Sequence, residues 1–154
     1  MKRSFLDKIQ VALEKAGAST YKRVDDDILW VEASDNELNR MIDLSFETSL
    51  RLQIGSAMNY YENEEADEEK VLALFLRILG NEIREIQSCR RDKILKTEYE
   101  MQSDNGIEYL GINSSLLQLS SKEDNTKHHT HPPVLSEEMC RHLFKDLQVM
   151  YGIR

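Results

Sequence analysis

The order of hydrophobic periods along the chain is the feature that most restricts its fold. A helical period in the first residues is followed by alternating apolar and polar segments, a long helical period, two more alternating segments and a last helical period. Alternation indicates strands with one buried and one wet face, which is typical of antiparallel sheets. The sequence therefore predicts an α+β fold in the order α-β-β-β-α-β-β-α, with helices packed on an antiparallel β-sheet.

Three segments carry a helical period, in which apolar residues recur every three or four positions. The first covers residues 5–16 and ends before Gly17, a residue suited to the left-handed position after a helix. The second begins in the acidic run 63–69, because negative charge is favourable in a first helical turn. Its stripe predicts a helix of about six turns and consists of Leu72, Phe75, Leu76, Leu79, Ile83 and Ile86. The third helix is predicted over residues 134–152.

Alternating segments predict the strands of the first half. Residues 21–33 read as a hairpin that turns at the three aspartates of 25–27. Residues 41–48 and 50–54 then alternate in the manner of half-buried strands. These segments predict a short antiparallel meander before the second helix.

The second half contains one strong hairpin signal and one polar segment. Residues 93–101 and 107–112 flank Asn105-Gly106, and Asn-Gly is the strongest short hairpin signal. Residues 120–133 are polar and have no period. They are predicted to form a mobile loop before the last helix.

Length and composition limit the class of protein. A chain of 154 residues is predicted to form a single domain over residues 1–154. The formal charge of −8 argues against nucleic acid as a partner, because association with phosphate begins against repulsion. Two isolated cysteines and a charged N-terminus predict a cytoplasmic protein. No window approaches about 18 uncharged apolar residues, so a membrane is not an expected partner.

Residues that carry chemistry are few. His128, His129 and His131 form the only histidine cluster. They are interpreted as surface histidines, with a zinc or nickel site as the open alternative, since imidazole is a common ligand of these ions. Cys140 lies on an apolar helical stripe, where a thiol usually fills core space. The sequence predicts no catalytic residue, no cofactor and no bound metal.

Two predicted strands are apolar on both faces, which is unusual for strands with one wet face. They are residues 28–31 and 107–112. The acids Glu32 and Glu108 indicate which side of each strand faces water. The resulting outward stripe is the predicted partner-binding surface, and it consists of Ile28, Trp30, Leu110 and Ile112. The alternative is that a helix of the same chain covers that side.

The element order and several segments resemble a known group, the type III secretion chaperone-like fold. Within it, residues 21–29 (Tyr-Lys-Arg-Val-Asp-Asp-Asp-Ile-Leu) are similar to the opening strand of the YbjN family. Residues 98–109 look like that family's strand–turn–strand, and residues 135–138 (Leu-Ser-Glu-Glu) fit the start of its last helix. The family tends to have Asn and then Gly where this chain has Gln-Ser-Cys-Arg-Arg at 87–91. The resemblance implies a non-enzymatic, often dimeric protein that binds other polypeptides or has a regulatory role.

Three functions are consistent with these features. The first is a cytoplasmic chaperone-like or regulatory module, predicted to be a homodimer, which binds another polypeptide through exposed apolar surface. The second is an acidic immunity protein that neutralises a cognate toxin, because charge complementarity speeds capture of a basic nuclease. The third is a metal-dependent enzyme that uses the three histidines of 128–131. The first is favoured, and the chain is predicted not to be an enzyme.

Overall fold

The computed structural model describes residues 2–17, 21–24, 28–32, 41–46, 50–61, 65–103, 106–114 and 122–151. In these residues the chain forms three helices and nine strands. The helices are α1 (Lys2–Lys15), α2 (Glu65–Gly80) and α3 (Glu137–Tyr151). The strands are β1 (Tyr21–Val24), β2 (Ile28–Glu32), β3 (Met41–Phe46), β4 (Leu50–Ile54), β5 (Ala57–Tyr61), β6 (Glu82–Arg90), β7 (Lys93–Ser103), β8 (Gly106–Ser114) and β9 (Asn125–His131).

The described strands form two antiparallel sheets. Strands β1 to β5 build a five-stranded meander, in which each strand pairs with the next along the chain. The second sheet has four strands in the order β8-β7-β6-β9, so that β8 and β9 form its edges. The predicted α+β class and antiparallel pairing are confirmed. The division into two sheets was not predicted, and neither were β5, β6 and β9.

The second helix ends earlier than predicted. Helix α2 stops at Gly80, and β6 follows directly after Asn81. Ile83 and Ile86 continue the helical spacing of α2, but Ile83 is buried while Ile86 is half-buried, because they lie on opposite faces of a strand. Glycine is the poorest helix former after proline, and here it marks the end of the helix. The prediction of helix through Ile86 was wrong.

The segment 120–133 contains a strand where a mobile loop was predicted. Strand β9 pairs with β6, and the amide of Asp124 donates to the carbonyl of Cys89 at 2.9 Å. The sequence of β9 (Asn-Thr-Lys-His-His-Thr-His) contains no apolar residue, so its pattern could not indicate a strand. Main-chain hydrogen bonds to β6 satisfy its backbone instead. The helix predicted over 134–152 forms as α3, whose start is capped by the Ser136 Oγ, which accepts from the amide of Met139 at 3.2 Å.

One hydrophobic core unites the helices with both sheets. Its largest fully buried side chains are Phe75, Leu6, Ile9, Leu13, Leu29, Leu52, Ile54 and Leu72. Burial of each such side chain stabilises the fold by about 1.5–3 kcal/mol. Of the helices in the part of the chain that the structure describes, none combines the length and the apolar character needed to cross a membrane.

The turn between β4 and β5 packs against the inner face of the second sheet. The phenol of Tyr99 on β7 reaches this turn, where its oxygen accepts a hydrogen bond from the amide of Ser56 at 3.1 Å. Gly55 has a φ of +56°, and a Cβ atom on it would lie 2.3 Å from the Tyr99 oxygen. Glycine is therefore required at position 55 for two reasons, the backbone conformation and the approach of Tyr99.

Candidate functional site

A β-bulge in β8 determines which of its side chains face outward. Tyr99 pairs with Gly111 and Glu100 with Tyr109, so Leu110 is the extra residue on the bulged strand. Leu110 and Gly111 are both buried on the inner face, and Ile112 returns to the outer face. The carbonyl of Leu110 accepts a hydrogen bond from the Asn59 Nδ2 of β5 at 2.9 Å. This bond satisfies a carbonyl at the point where the ladder is interrupted.

Three apolar side chains project from the outer face of β8. Ile107 is 59% exposed, Tyr109 is 57% exposed and Ile112 is 44% exposed. Because the bulge adds one residue between Tyr109 and Ile112, all three side chains lie on one side of the strand. We call these three residues the apolar row. The row lies on β8, an edge strand of the second sheet.

The predicted partner-binding residues do not form one stripe. Ile28 and Trp30 belong to β2 of the five-stranded sheet, and their side chains lie outside the described part of the structure. Ile112 lies on the outer face of the other sheet. Leu110 is only 6% exposed and belongs to the core, so its assignment to an outward stripe was wrong.

Glu108 explains why the parity of β8 misled the prediction. Its carboxylate was interpreted as marking the wet side of the strand. It forms an exposed ion pair with Arg77 of α2, on the face of the sheet opposite Ile107, Tyr109 and Ile112. The candidate site residues missed by sequence reasoning are Ile107 and Tyr109, and Gly111 was the available signal, because glycine inside a strand often marks a bulge.

Charged side chains of β7 run beside the apolar row. In the register of the sheet, Glu98 lies opposite Ile112 and Glu100 lies opposite Tyr109. The Glu98 carboxylate lies 3.5 Å from the Lys96 ammonium, and the Glu100 carboxylate accepts from the Arg84 Nε at 3.2 Å. The row therefore has a polar border on the side of β7.

The pKa of the Tyr109 phenol is raised above its ordinary value. Partial burial is the larger cause, and the nearby Glu98 carboxylate raises this pKa further. The Lys96 ammonium, which lies 3.5 Å from the Glu98 carboxylate, lowers it.

An open depression lies next to Ile107, at one end of the row. It is lined by Glu82, Arg84, Glu100, Met101, Gln102, Ile107 and Thr130. Most of these groups are polar, and the ion pair between Arg84 and Glu100 lies inside it. The depression continues the polar border of the row toward β6 and β9.

The three clustered histidines do not converge on one point. They lie in β9, where successive side chains alternate between faces, so His128 is exposed on the outer face while His131 is buried. The His131 Nε2 lies 3.1 Å from the Glu85 Oε2, and the Glu85 Oε1 accepts from the Gln87 Nε2 at 2.8 Å. In the part of the chain that the structure describes, no group of three or more His, Cys, Asp or Glu residues is arranged to hold a metal ion.

The two cysteines are placed in the packed interior. Cys89 is buried, and Cys140 is half-buried on α3, where burial raises the pKa of its thiol. A Cβ on Gly80 would lie 2.8 Å from the Cys140 sulfur, so the end of α2 packs closely on α3. A raised thiol pKa disfavours the reactive thiolate.

Comparison with models of protein families, with curated proteins and with solved structures finds no match to this chain.

Proposed function

We propose that this chain is a non-enzymatic binding module, chaperone-like or regulatory, that docks a segment of another polypeptide on its apolar row. The observation that supports the proposal is the exposure of Ile107, Tyr109 and Ile112 together on one face of an edge strand. Exposed apolar patches rimmed by polar groups commonly mark interaction surfaces. Here the rim is the charged border of β7.

The size of the row favours a reversible complex. Three partly exposed side chains offer on the order of a few hundred Å² of apolar surface, which is the usual size of the largest patch on a monomer. Standard stable interfaces bury about 800 Å² on each partner. The complex therefore depends on polar contacts around the row, and we expect it to dissociate readily.

The resemblance to the YbjN family supports the same class of function. That resemblance implies a protein that binds polypeptides or has a regulatory role. Membership of this family and a cytoplasmic location are both part of the proposal. A basic toxin among the bound polypeptides would favour the immunity role over the chaperone-like one, because the chain carries a net charge of −8.

Serine variants of the row are expected to weaken partner binding without unfolding the protein. Tyr109→Ser and Ile112→Ser each remove an anchor, so the affinity for a partner should fall at least about tenfold. Phe144→Ser is the matched control, because Phe144 is 43% exposed on α3, outside the row. Quantitative mass spectrometry of proteins bound to each variant in extracts of the source organism identifies candidates, and titration with the purified partner measures affinity. A partner bound equally by all three variants would contradict the proposal.

Self-association through a different surface is also part of the proposal. Met58 and Tyr60 on β5 are 47% and 65% exposed, and they supply apolar surface for a second copy. We expect a dimer by size-exclusion chromatography with light scattering at a protein concentration of tens of micromolar, and a shift toward monomer in a Met58→Ser, Tyr60→Ser variant. A wild-type protein that stays strictly monomeric would contradict this part.

A further inference from the structure

We infer that the segment docked on the apolar row is an amphipathic helix whose flank carries basic residues. This inference rests on the proposed function and specifies the chemistry of its partner. It follows from the spacing of the row, from the state of the main chain around β8, and from the charges that border the row.

The spacing of the row fits one face of a helix. Side chains two positions apart on a strand are about 6.6 Å apart, so the three members of the row extend over roughly 13 Å. Helical positions i, i+4 and i+8 rise about 6 Å at each step and extend over about 12 Å. A helix that lies along β8 can therefore place one apolar side chain near each of Ile107, Tyr109 and Ile112.

An extended segment matches the same spacing but leaves its backbone unsatisfied. The row lies on the face of the sheet, where side chains and not main-chain groups are presented. The β5 strand contacts β8 at its bulge, where Asn59 already donates to the carbonyl of Leu110. Unpaired backbone groups in a covered interface are costly. A helix satisfies its own backbone hydrogen bonds and avoids this cost.

The border of the row favours a basic flank. Glu98 and Glu100 lie beside Ile112 and Tyr109 in the sheet register, and Glu82 lies in the depression at the end near Ile107. Three acids border the row against two bases, because Lys96 pairs with Glu98 and Arg84 pairs with Glu100, so the border keeps an excess of one negative charge. Two copies of the row placed face to face would bring these negative borders toward one another, which argues against a second copy as the occupant. A lysine or arginine on the flank of a helix can add a second cation beside Glu98, whose carboxylate lies 3.5 Å from the Lys96 ammonium.

The test uses three synthetic peptides of about 18 residues, a length at which a helix is no longer marginal in water. The first has leucine at i, i+4 and i+8 with lysine on the flanks. The second has glutamate in place of each lysine, and the third has serine in place of each leucine. We expect the first to bind at least about tenfold more tightly than the other two. In NMR spectra of isoleucine methyl groups, the first peptide should shift the signals of Ile107 and Ile112. It should not shift the signal of Ile94, which is exposed at the far end of β7.

Charge variants of the protein distinguish a local contact with Glu98 from attraction of the peptide to the overall negative charge. Glu98→Lys should weaken the lysine peptide about tenfold, whereas Glu123→Lys, which changes the net charge equally at an exposed site outside the row, should have a much smaller effect. Equal binding of the lysine and glutamate peptides at the row would overturn the basic preference and leave polypeptide docking intact. If the lysine peptide does not shift the Ile107 and Ile112 signals, the inference is wrong, and the serine variants with the natural partner alone decide the proposed function.

Discussion

His131→Leu is expected to lower the free energy of unfolding by about 3–5 kcal/mol, because it removes one member of a buried polar pair. His131 is 1% exposed and Glu85 is 5% exposed. Without the imidazole, the Glu85 carboxylate stays buried and keeps the hydrogen bond that the Gln87 Nε2 donates to its Oε1. The change should appear in urea denaturation as a lower midpoint with an unchanged slope.

Two control variants test whether loss of the buried pair causes this destabilisation. His128→Leu changes the same residue type on the exposed face of the same strand, and its effect should stay within about 0.5 kcal/mol. The double variant Glu85→Leu, His131→Leu replaces both partners with apolar groups and should regain most of the loss, since apolar replacements of buried pairs are often neutral or stabilising. A single variant as stable as the wild-type protein would show that the pair does not anchor β9.

Gly55→Ala is expected to lower the free energy of unfolding by about 2–5 kcal/mol. A left-handed backbone conformation costs a residue with a Cβ about 1–2 kcal/mol, and the new methyl would overlap the phenol of Tyr99. Overpacking of this kind adds about 1–3 kcal/mol. In a chain of this size, the loss corresponds to a fall in Tm of about 4–20 °C.

Gly17→Ala is the matched control for the clash. Gly17 has a φ of +81°, and a Cβ on it meets only the Met139 Cε at 3.8 Å, an ordinary van der Waals contact. Its alanine variant therefore isolates the backbone strain and should cost about 1–2 kcal/mol. Equal destabilisation by the two variants in thermal and urea unfolding would contradict the role assigned to Tyr99.

The fold class could be predicted because alternation and turn residues agree with each other in most of the chain. The hairpin of β1 and β2 and the hairpin of β7 and β8 both follow from apolar alternation around polar turn residues. Strand β6 could not be predicted, since Leu79, Ile83 and Ile86 have a spacing that a helix shares. Strand β9 carries no apolar residue, and only its pairing with β6 makes it a strand.

The candidate site could be predicted only in part. Ile112 was predicted to face outward from the alternation of the strand alone. In the structure it faces outward because the bulge at Leu110 shifts that alternation by one residue. Parity fails at Leu110 because the bulge inserts one residue, and the hydrogen bond from Asn59 comes from a strand of the other sheet. The sequence of residues 107–112 alone cannot reveal this contact with Asn59. The carboxylate of Glu108 added to the error, since it pairs with Arg77 of α2 on the face of the sheet opposite the row.

The all-polar composition of β9 has a consequence for how this protein stays dispersed. Open sheet edges invite strands of other molecules to stack against them and to aggregate. Strand β9 is one edge strand of the four-stranded sheet, and its asparagine, threonine, lysine and histidine side chains make that edge polar. The polar side chains of β9 thus discourage fibre growth at this edge, while the three exposed apolar side chains lie on the strand at the opposite edge.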